Sequence, residues 1–497
     1  MAEWCADHLR NCEGWKSAGL ELSTTSDENA KWLDACIRQL VSWSDCTSLG
    51  GFDASAEKLA SSDPEAIMAR TFLIGITGIF GVANARNVEF IEKMNQLEID
   101  AEKYGNAREK RHAKSAILWG RGKHHEAAIE WDKLLDDYPT DLIAVNFSHR
   151  AHFNNGNLIG KKNAIEKVID KWNADLPCYS YLHGMYAFGL EECGIYGDAE
   201  KQADRALQLN RFDCWASHAK AHVLEMNGRH KEGKEFMYKT EDDWRQGWML
   251  AAHNYWHTAL FHIESAEYEP ALEIFDREIV KRSSKVDGSS LLWRLELEGV
   301  NVGRDRWEKI ENLSKFIGDH SSVSNDVQIG IATYMQEDLE TEKKLRDSLV
   351  KYSELLTEDN AQISKTTGVP LYDGMLNFAR RDYDTAADTM YPIRDKIVQI
   401  GGSNSQRDLF VQTLIQSCIL SKDPKNWGLT PELLAERNAL HHNSLVGLRL
   451  ADKFRNLHPF RHFTGKFRLA SQLYCAAFND PGDVGCFYKT CELLGTL

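Results

Sequence analysis

Proline is scarce in this sequence, ten residues in 497, and no long run rich in proline, glycine and serine interrupts it. Nothing therefore reads as a flexible linker between modules. One continuous body is expected, although a chain of this length ordinarily splits into about three domains. Period-two runs of valine, isoleucine and threonine are almost missing, which argues against a sheet protein. The most apolar stretch, Thr71 to Ala83, has 13 residues and follows Arg70. A bilayer span needs about 20, so a buried core helix is expected there and no membrane span. No C-x-x-C pair occurs among the 11 cysteines. Neither Cys5 with Cys12 nor Cys36 with Cys46 has zinc-site spacing. Met1 to Trp15 carries acids and no apolar run, so it does not read as a signal or transit peptide. Free thiols in a reducing, cytoplasmic setting are the expectation.

Basic charge is also in short supply. The formal net charge is −15 and the sequence pI about 5.7. Such a chain repels phosphate backbones, so nucleic acid is not expected as a partner. The short cluster Lys281, Arg282 and Lys285 reads as a solvated helix end.

What is present is helix. Hydrophobic residues make up 43% and recur three and four apart between short breaks. Helix starts are legible: Ser23 to Ser26 precede Asp27 and Glu28, then an apolar-periodic run from Trp32 to Trp43. Hydroxyls there accept orphan amide hydrogens, and the acids suit the positive end of the helix dipole.

The helices repeat. A tetratricopeptide unit is a 34-residue helix pair. It needs one small residue in helix A and another twelve positions later in helix B, where the two cross closely. Ser115 and Ala127, Ala187 and Ala199, Ala221 and Gly233, Ala259 and Ala271, and Gly374 and Ala386 supply such pairs. The second and third pairs stand 34 residues apart, the third and fourth 38, and the first and second 72, so an irregular unit is expected at about Asp141 to Pro177. The fold expected is all-α, a tetratricopeptide-like superhelix of antiparallel helix pairs. Its expected parts are an N-terminal helical region (1–105), tetratricopeptide-like repeats (106–283), C-terminal helical repeats (284–456) and a divergent tail (457–497). In such an array the A helices line a concave trough.

Several strings point to a family. Leu22-Ser23-Thr24-Thr25-Ser26, Ser48-Leu49-Gly50-Gly51, His253-Asn254-Tyr255-Trp256-His257 and Gly401-Gly402-Ser403-Asn404-Ser405-Gln406-Arg407-Asp408 are unusual. Pro392-Ile393-Arg394 and Ile397-Val398-Gln399 precede the last of them. Over roughly residues 12 to 455 the chain resembles the tetratricopeptide repeat protein 38 family. That resemblance implies a soluble helical-repeat protein and brings no reaction with it. The aromatic tail from His458 departs from the pattern.

The candidate chemistry is histidine. His218, His222 and Glu225 fall at i, i+4 and i+7 on one helical face, and His253 and His257 form a second i, i+4 pair one repeat on. Imidazoles one turn apart can chelate a divalent metal, so His218, His222, His253 and His257 are the candidate ligands. Counted in the repeat, they fall at groove-lining positions, where the chaperone carboxylate clamp would need Lys, Asn and Arg; that clamp is not expected. H-E-x-x-H is absent, because Lys220 and Ala221 occupy its middle. Two plainer alternatives stand beside the metal: packing histidines with satisfied nitrogens, and a polar pocket in which the rings hydrogen-bond a small molecule. Asn254 and the groove aromatic Trp256 complete the candidate set. Arg407 and the Gly401–Asp408 turn offer an anion site, set against a helix stop, a Ser403 cap and a structural arginine. The leading expectation is a scaffold that holds a peptide or partner protein in its trough. The alternative is a small-molecule or metal-dependent enzyme using the histidines there. Catalytic residues and oligomeric state are not legible.

Overall fold

A computed structural model of the chain describes residues 2–458. The tail expected from residue 457 therefore lies, after His458, outside the described residues. Every regular element among the described residues is helical. The principal N-terminal helices are α1 (Asp27–Ser42) and α2 (Ile67–Ile79). Helix pairs follow: α3 and α4 (Ala107–Gly120, His124–Asp137), α5 and α6 (Leu142–Asn154, Leu158–Glu166), α7 and α8 (Tyr179–Glu192, Tyr196–Leu209). Next come α9 and α10 (Cys214–Met226, His230–Lys239), α11 and α12 (Trp248–Glu264, Tyr268–Ile274), and α13 (Lys285–Leu297). The C-terminal part adds α14 and α15 (Val323–Met335, Leu339–Ser353) and α16 and α17 (Val369–Ala379, Tyr383–Met390). It closes with α18 (Asn404–Leu420), α19 (Thr430–Leu440) and α20 (Leu445–Leu457). This is a tetratricopeptide-type helical repeat.

Local chemistry starts these helices where the sequence says it should. The Ser26 hydroxyl accepts the Asn29 amide at 3.2 Å at the start of α1. Asp213 accepts the amides of Trp215 and Ala216, both at 3.0 Å, ahead of α9. Ser403 and Gln406 form a reciprocal capping box on α18. The turns inside the pairs need a left-handed residue. Gly194 and Gly228, one repeat apart, supply it at φ 74° and 68°.

All five small-residue pairs lie within helix pairs. Ala127, Ala187, Ala199, Ala221, Ala259, Ala271 and Ala386 are fully buried, as is Ser115. The packing of one pair on the next is close as well: a Cβ on Gly233 of α10 would sit 2.3 Å from the Phe261 ring of α11. The irregular unit proves to be a pair as well (α5, α6), and the pair α14 and α15 carries no small-residue signature. The Thr71 stretch begins in α2, whose Phe72 is fully buried, but the helix stops at Ile79 and Val82 beyond it is exposed, so only part of the expected core helix forms. No described helix is long and apolar enough to cross a membrane, and the eight described cysteines are free.

The array curves until residues 319–359 meet residues 84–125. The Arg86 guanidinium binds Glu358 at 2.7 Å and the Asp319 carbonyl, and the Asp359 amide donates to the Gly122 carbonyl at 2.9 Å. The expected open trough is filled. Over the inner faces of α9 and α11 lies the chain's own C-terminal layer: Ser405 of α18 reaches His222, Asp408 reaches Arg294 of α13, and the His442 amide donates to the Met226 carbonyl at 2.7 Å. Extended apolar surface pays for this closure. Residues from Leu250 to Phe454 share one buried cluster, in which Trp293 meets α18 through a 3.0 Å bond to Thr413.

The nesting is testable. Gly233→Ala must move the Phe261 ring, at about 1–3 kcal/mol for overpacking, against about 1 kcal/mol gained in helix propensity. A net loss of up to about 2 kcal/mol is expected in urea unfolding. Gly197→Ala, with nothing within 4 Å of its added Cβ, is expected to be neutral or stabilising. Equal effects of the two would remove the close-approach argument.

Candidate metal centre

Two neighbouring A helices set the site. The Asn254 side chain of α11 donates to the Cys214 carbonyl at the start of α9, 3.2 Å away, and fixes their register. His218 and His222 then face His253 and His257. The Nε2 atoms of His218 and His222 are 3.0 Å apart. Ring centroids stand 4.3 Å apart for His222 and His257, 4.9 Å for His253 and His257, and 5.1 Å for His218 with either ring of α11. One nitrogen from each of the four lies within 4.8 Å of the others.

Acceptors behind the rings decide where the protons are. Glu225 Oε2 lies 2.8 Å from His257 Nδ1, and Asp287 Oδ1 lies 2.8 Å from His253 Nδ1. An ionised carboxylate only accepts, so both rings carry Nδ1–H and present an Nε2 lone pair. His222 Nδ1 has the Ser405 hydroxyl at 3.2 Å. His218 Nδ1 and His257 Nε2 are buried with no partner. Each orphaned buried group of this kind costs about 1–3 kcal/mol. Two nitrogens 3.0 Å apart also need a proton or a cation between them.

The electrostatics agree. His218, His222 and His257 are exposed by 2%, 0% and 0%. Burial first, and then the neighbouring imidazoles, holds His218 and His222 well below the ordinary histidine value. Burial also lowers His257 and outweighs the Glu225 carboxylate beside it. For Glu225 and Asp287 burial acts upward, but the rings bonded to them carry both below the ordinary carboxylate range. The stable arrangement is neutral imidazole donating to ionised carboxylate.

The remaining candidates fall in different places. Trp256 is fully buried and stacks on His253 at 4.9 Å and 14°, so it packs the site and lines no groove. Asn254 positions a helix. Arg407 is turned away: it holds the Gly401 and Gly402 carbonyls, Asn404 Oδ1 at 2.7 Å and Glu192 Oε2 at 3.2 Å. With Ser403 already capping α18, the Gly401–Asp408 turn is a structural stop and not an anion site. Sequence reasoning missed Asp287, Ser405, Glu191, Lys161 and Arg294. Only Asp287 carried a signal, standing 34 residues after His253, one repeat on. A separate cavity of about 220 Å³ lies between the internal segments of the array that meet, lined by Trp119, His124, Asn154, Ser322 and Tyr352.

No family model matches the chain. It is similar in structure to the human IFIT1 dimer with m7Gppp-AAAA, at 14% identity over 92% of this chain and 99% of that one, with a TM-score of 0.36. It is also similar to the APC/C hetero-tetramer Cut9-Hcn1, at 12% identity over 90% of this chain and 80% of that one, TM-score 0.38. Likenesses this distant transfer no ligand or partner. They lend no support to the expected exclusion of nucleic acid.

Stability should report the neutral rings. An unfolded histidine titrates near about 6.5, and the folded rings do so lower. Between those values the unfolded chain holds more protons, so stability falls as pH drops below about 6.5 and levels off beneath the folded values. Thermal melts of metal-free protein from pH 7.5 to 5 should show that decline, with a smaller slope in the His218→Leu, His222→Leu double variant. An identical slope in both proteins would mean that these rings are not buried neutral.

Proposed function

We propose that this chain is a helical-repeat protein that holds one divalent transition-metal ion between two neighbouring repeat helices, with His218, His222, His253 and His257 as ligands. The observation that carries it is the convergence of four imidazoles, two of them fixed by carboxylates to present Nε2. An imidazole with a carboxylate behind it is the usual outer arrangement of a metal-binding histidine.

Charge supports the reading. Around the site Glu191, Glu192, Glu225, Glu264, Asp287 and Asp408 are buried, against the buried cations Lys161, Arg294, Arg407 and Arg437. Burial pushes Glu191 well above the ordinary carboxylate range, so the excess is one carboxylate with Glu191 protonated and two once a cation ionises it, the charge that a dication neutralises. An all-imidazole set suits zinc, copper, nickel or iron(II). Zinc–nitrogen bonds of about 2.0–2.1 Å place tetrahedral ligand atoms about 3.3 Å apart. The His218–His222 separation of 3.0 Å is already of that order, and the rings of α11 close the rest.

Four protein ligands complete a tetrahedral shell, and the site sits under a closed layer. The role supported is therefore a cross-link between repeats rather than a catalytic centre. Glu225 and Asp287 orient the rings, Trp256 keeps water from His253, and α18 seals the top. A peptide cannot reach His222 or His257 while α18 is seated, so a partner protein would have to use other surfaces of the scaffold. The strings His253–His257 and Gly401–Asp408, which resemble the tetratricopeptide repeat protein 38 family, support placing the chain there.

Reconstitution tests this. Chelator-treated protein offered zinc, copper(II), nickel or iron(II) should bind one equivalent of at least one ion, and at 100 times Kd gain about 2.7 kcal/mol of stability. The His222→Ala, His257→Ala double variant should lose both. Failure of every ion to bind above a small fraction of an equivalent, with melting unchanged, would sink the proposal.

A further inference from the structure

Glu191, near the C-terminal end of α7, is fully buried, and neither of its oxygens has a hydrogen-bond partner. A bare carboxylate in a low-dielectric interior costs several kcal/mol. Burial first, and then Glu192 beside it, push Glu191 well above the ordinary carboxylate range, so it holds a proton unless a cation answers it. Its neighbour Glu192 is already answered, by the Asn404 amide at 2.9 Å and Arg407 at 3.2 Å. Lys161 is equally buried and lies over the Phe188 ring, and it too makes no hydrogen bond. The group that Glu191 faces at short range is His222: Oε2 stands 3.7 Å from Nδ1, on the side of the ring opposite the Nε2 that meets His218.

This closes a pattern. His257 has Glu225 and His253 has Asp287, each at 2.8 Å. His222 has only a neutral hydroxyl at 3.2 Å, from Ser405. Resting on the metal reading above, we infer that Glu191 is a positioning residue for the centre. With an ion on Nε2, the polarised Nδ1–H of His222 turns from Ser405 to Glu191 and makes the third imidazole–carboxylate pair. A shift of under about 1 Å brings 3.7 Å into bonding range. The charges then close locally: Glu191, Glu225 and Asp287 balance the dication and Lys161. His218 keeps no carboxylate and is the one ring held by the ion and its packing alone.

Glu191, Glu192 and His222 also lie close enough to share an ion of their own. In that rival arrangement Glu191 would be a ligand, and the chain would take two equivalents.

Cobalt(II) on the full-length, chelator-treated chain separates these. The wild-type chain should bind one equivalent and give a tetrahedral visible spectrum. Glu191→Gln should weaken cobalt binding about 10- to 100-fold, and Glu191→Leu should weaken it as much and change the spectrum. Glu191→Asp should recover part of the loss, which a space-filling role would not give, because aspartate leaves the larger void. Ser405→Ala should stay within about twofold. Melting of the metal-free variants checks that each folds. Unchanged affinity in Glu191→Gln, the loss falling on Ser405→Ala instead, or two equivalents in the wild-type chain would each overturn this inference. A wild-type chain that takes no cobalt, zinc, copper or nickel would overturn the parent reading instead.

Discussion

The structure depends on how closely two helices can lie when the residue at their crossing is an alanine or a glycine. At Ala221 with Gly233, and at Ala259 with Ala271, there is no side chain to hold the backbones apart, and Phe261 fills the space beside Gly233. The small residues set the stagger within each pair, and the Phe261 contact sets the stagger of α11 on the pair before it. Once α9 and α11 are side by side in that register, histidines one turn apart on each become neighbours across the gap. The imidazole cluster is a consequence of helix nesting before it is a feature of chemistry.

Closure then gives the cluster its character. Open to water, four histidines on two helices would be solvated rings with ordinary protonation. The C-terminal layer removes the water, so charge on the rings becomes expensive and protons are decided by whatever accepts them from behind. Glu225 and Asp287 do so for two rings. The lone pairs left over point inward. A pure packing role would leave His257 Nε2 unpaired at full desolvation cost, whereas an ion turns the inward lone pairs into bonds; His218 Nδ1 is unpaired in either case. The same interior concentrates Asp408, Arg437, Arg294, Arg407 and Glu192 in paired contacts, while Glu191 and Lys161 beside the cluster make no hydrogen bond.

Much of this was legible in the residues. Ser26 before Asp27, the recurring small positions and the 34-residue interval between Ala187 and Ala221 correspond directly to capped helices and nested pairs. The pairing of His218 and His222 with His253 and His257 followed from the same register. Trp256 was misjudged, because a tryptophan beside histidines looks alike whether it lines a trough or packs under a lid. Arg407 was misjudged for a related reason: its partner is Glu192, and nothing local to the Gly401 turn announces that. The α14–α15 pair escaped notice because twelve positions after Gly330 and Ala332 of α14 stand Glu342 and Lys344, not small residues.

Sequence by itself determined the helices, their caps, their pairing and the placing of two imidazoles on each of two neighbouring faces. These follow from backbone hydrogen bonds and side chains within a few residues of one another, with a period that repeats. Tertiary structure alone decided that the faces are buried, that Ser405 stands 183 residues from the His222 it touches, and that Glu191 is left bare beside it. Those outcomes rest on the curvature of the whole array. Small rotations add up over successive helix pairs until its far end folds back over its middle, and no short stretch of residues contains that sum.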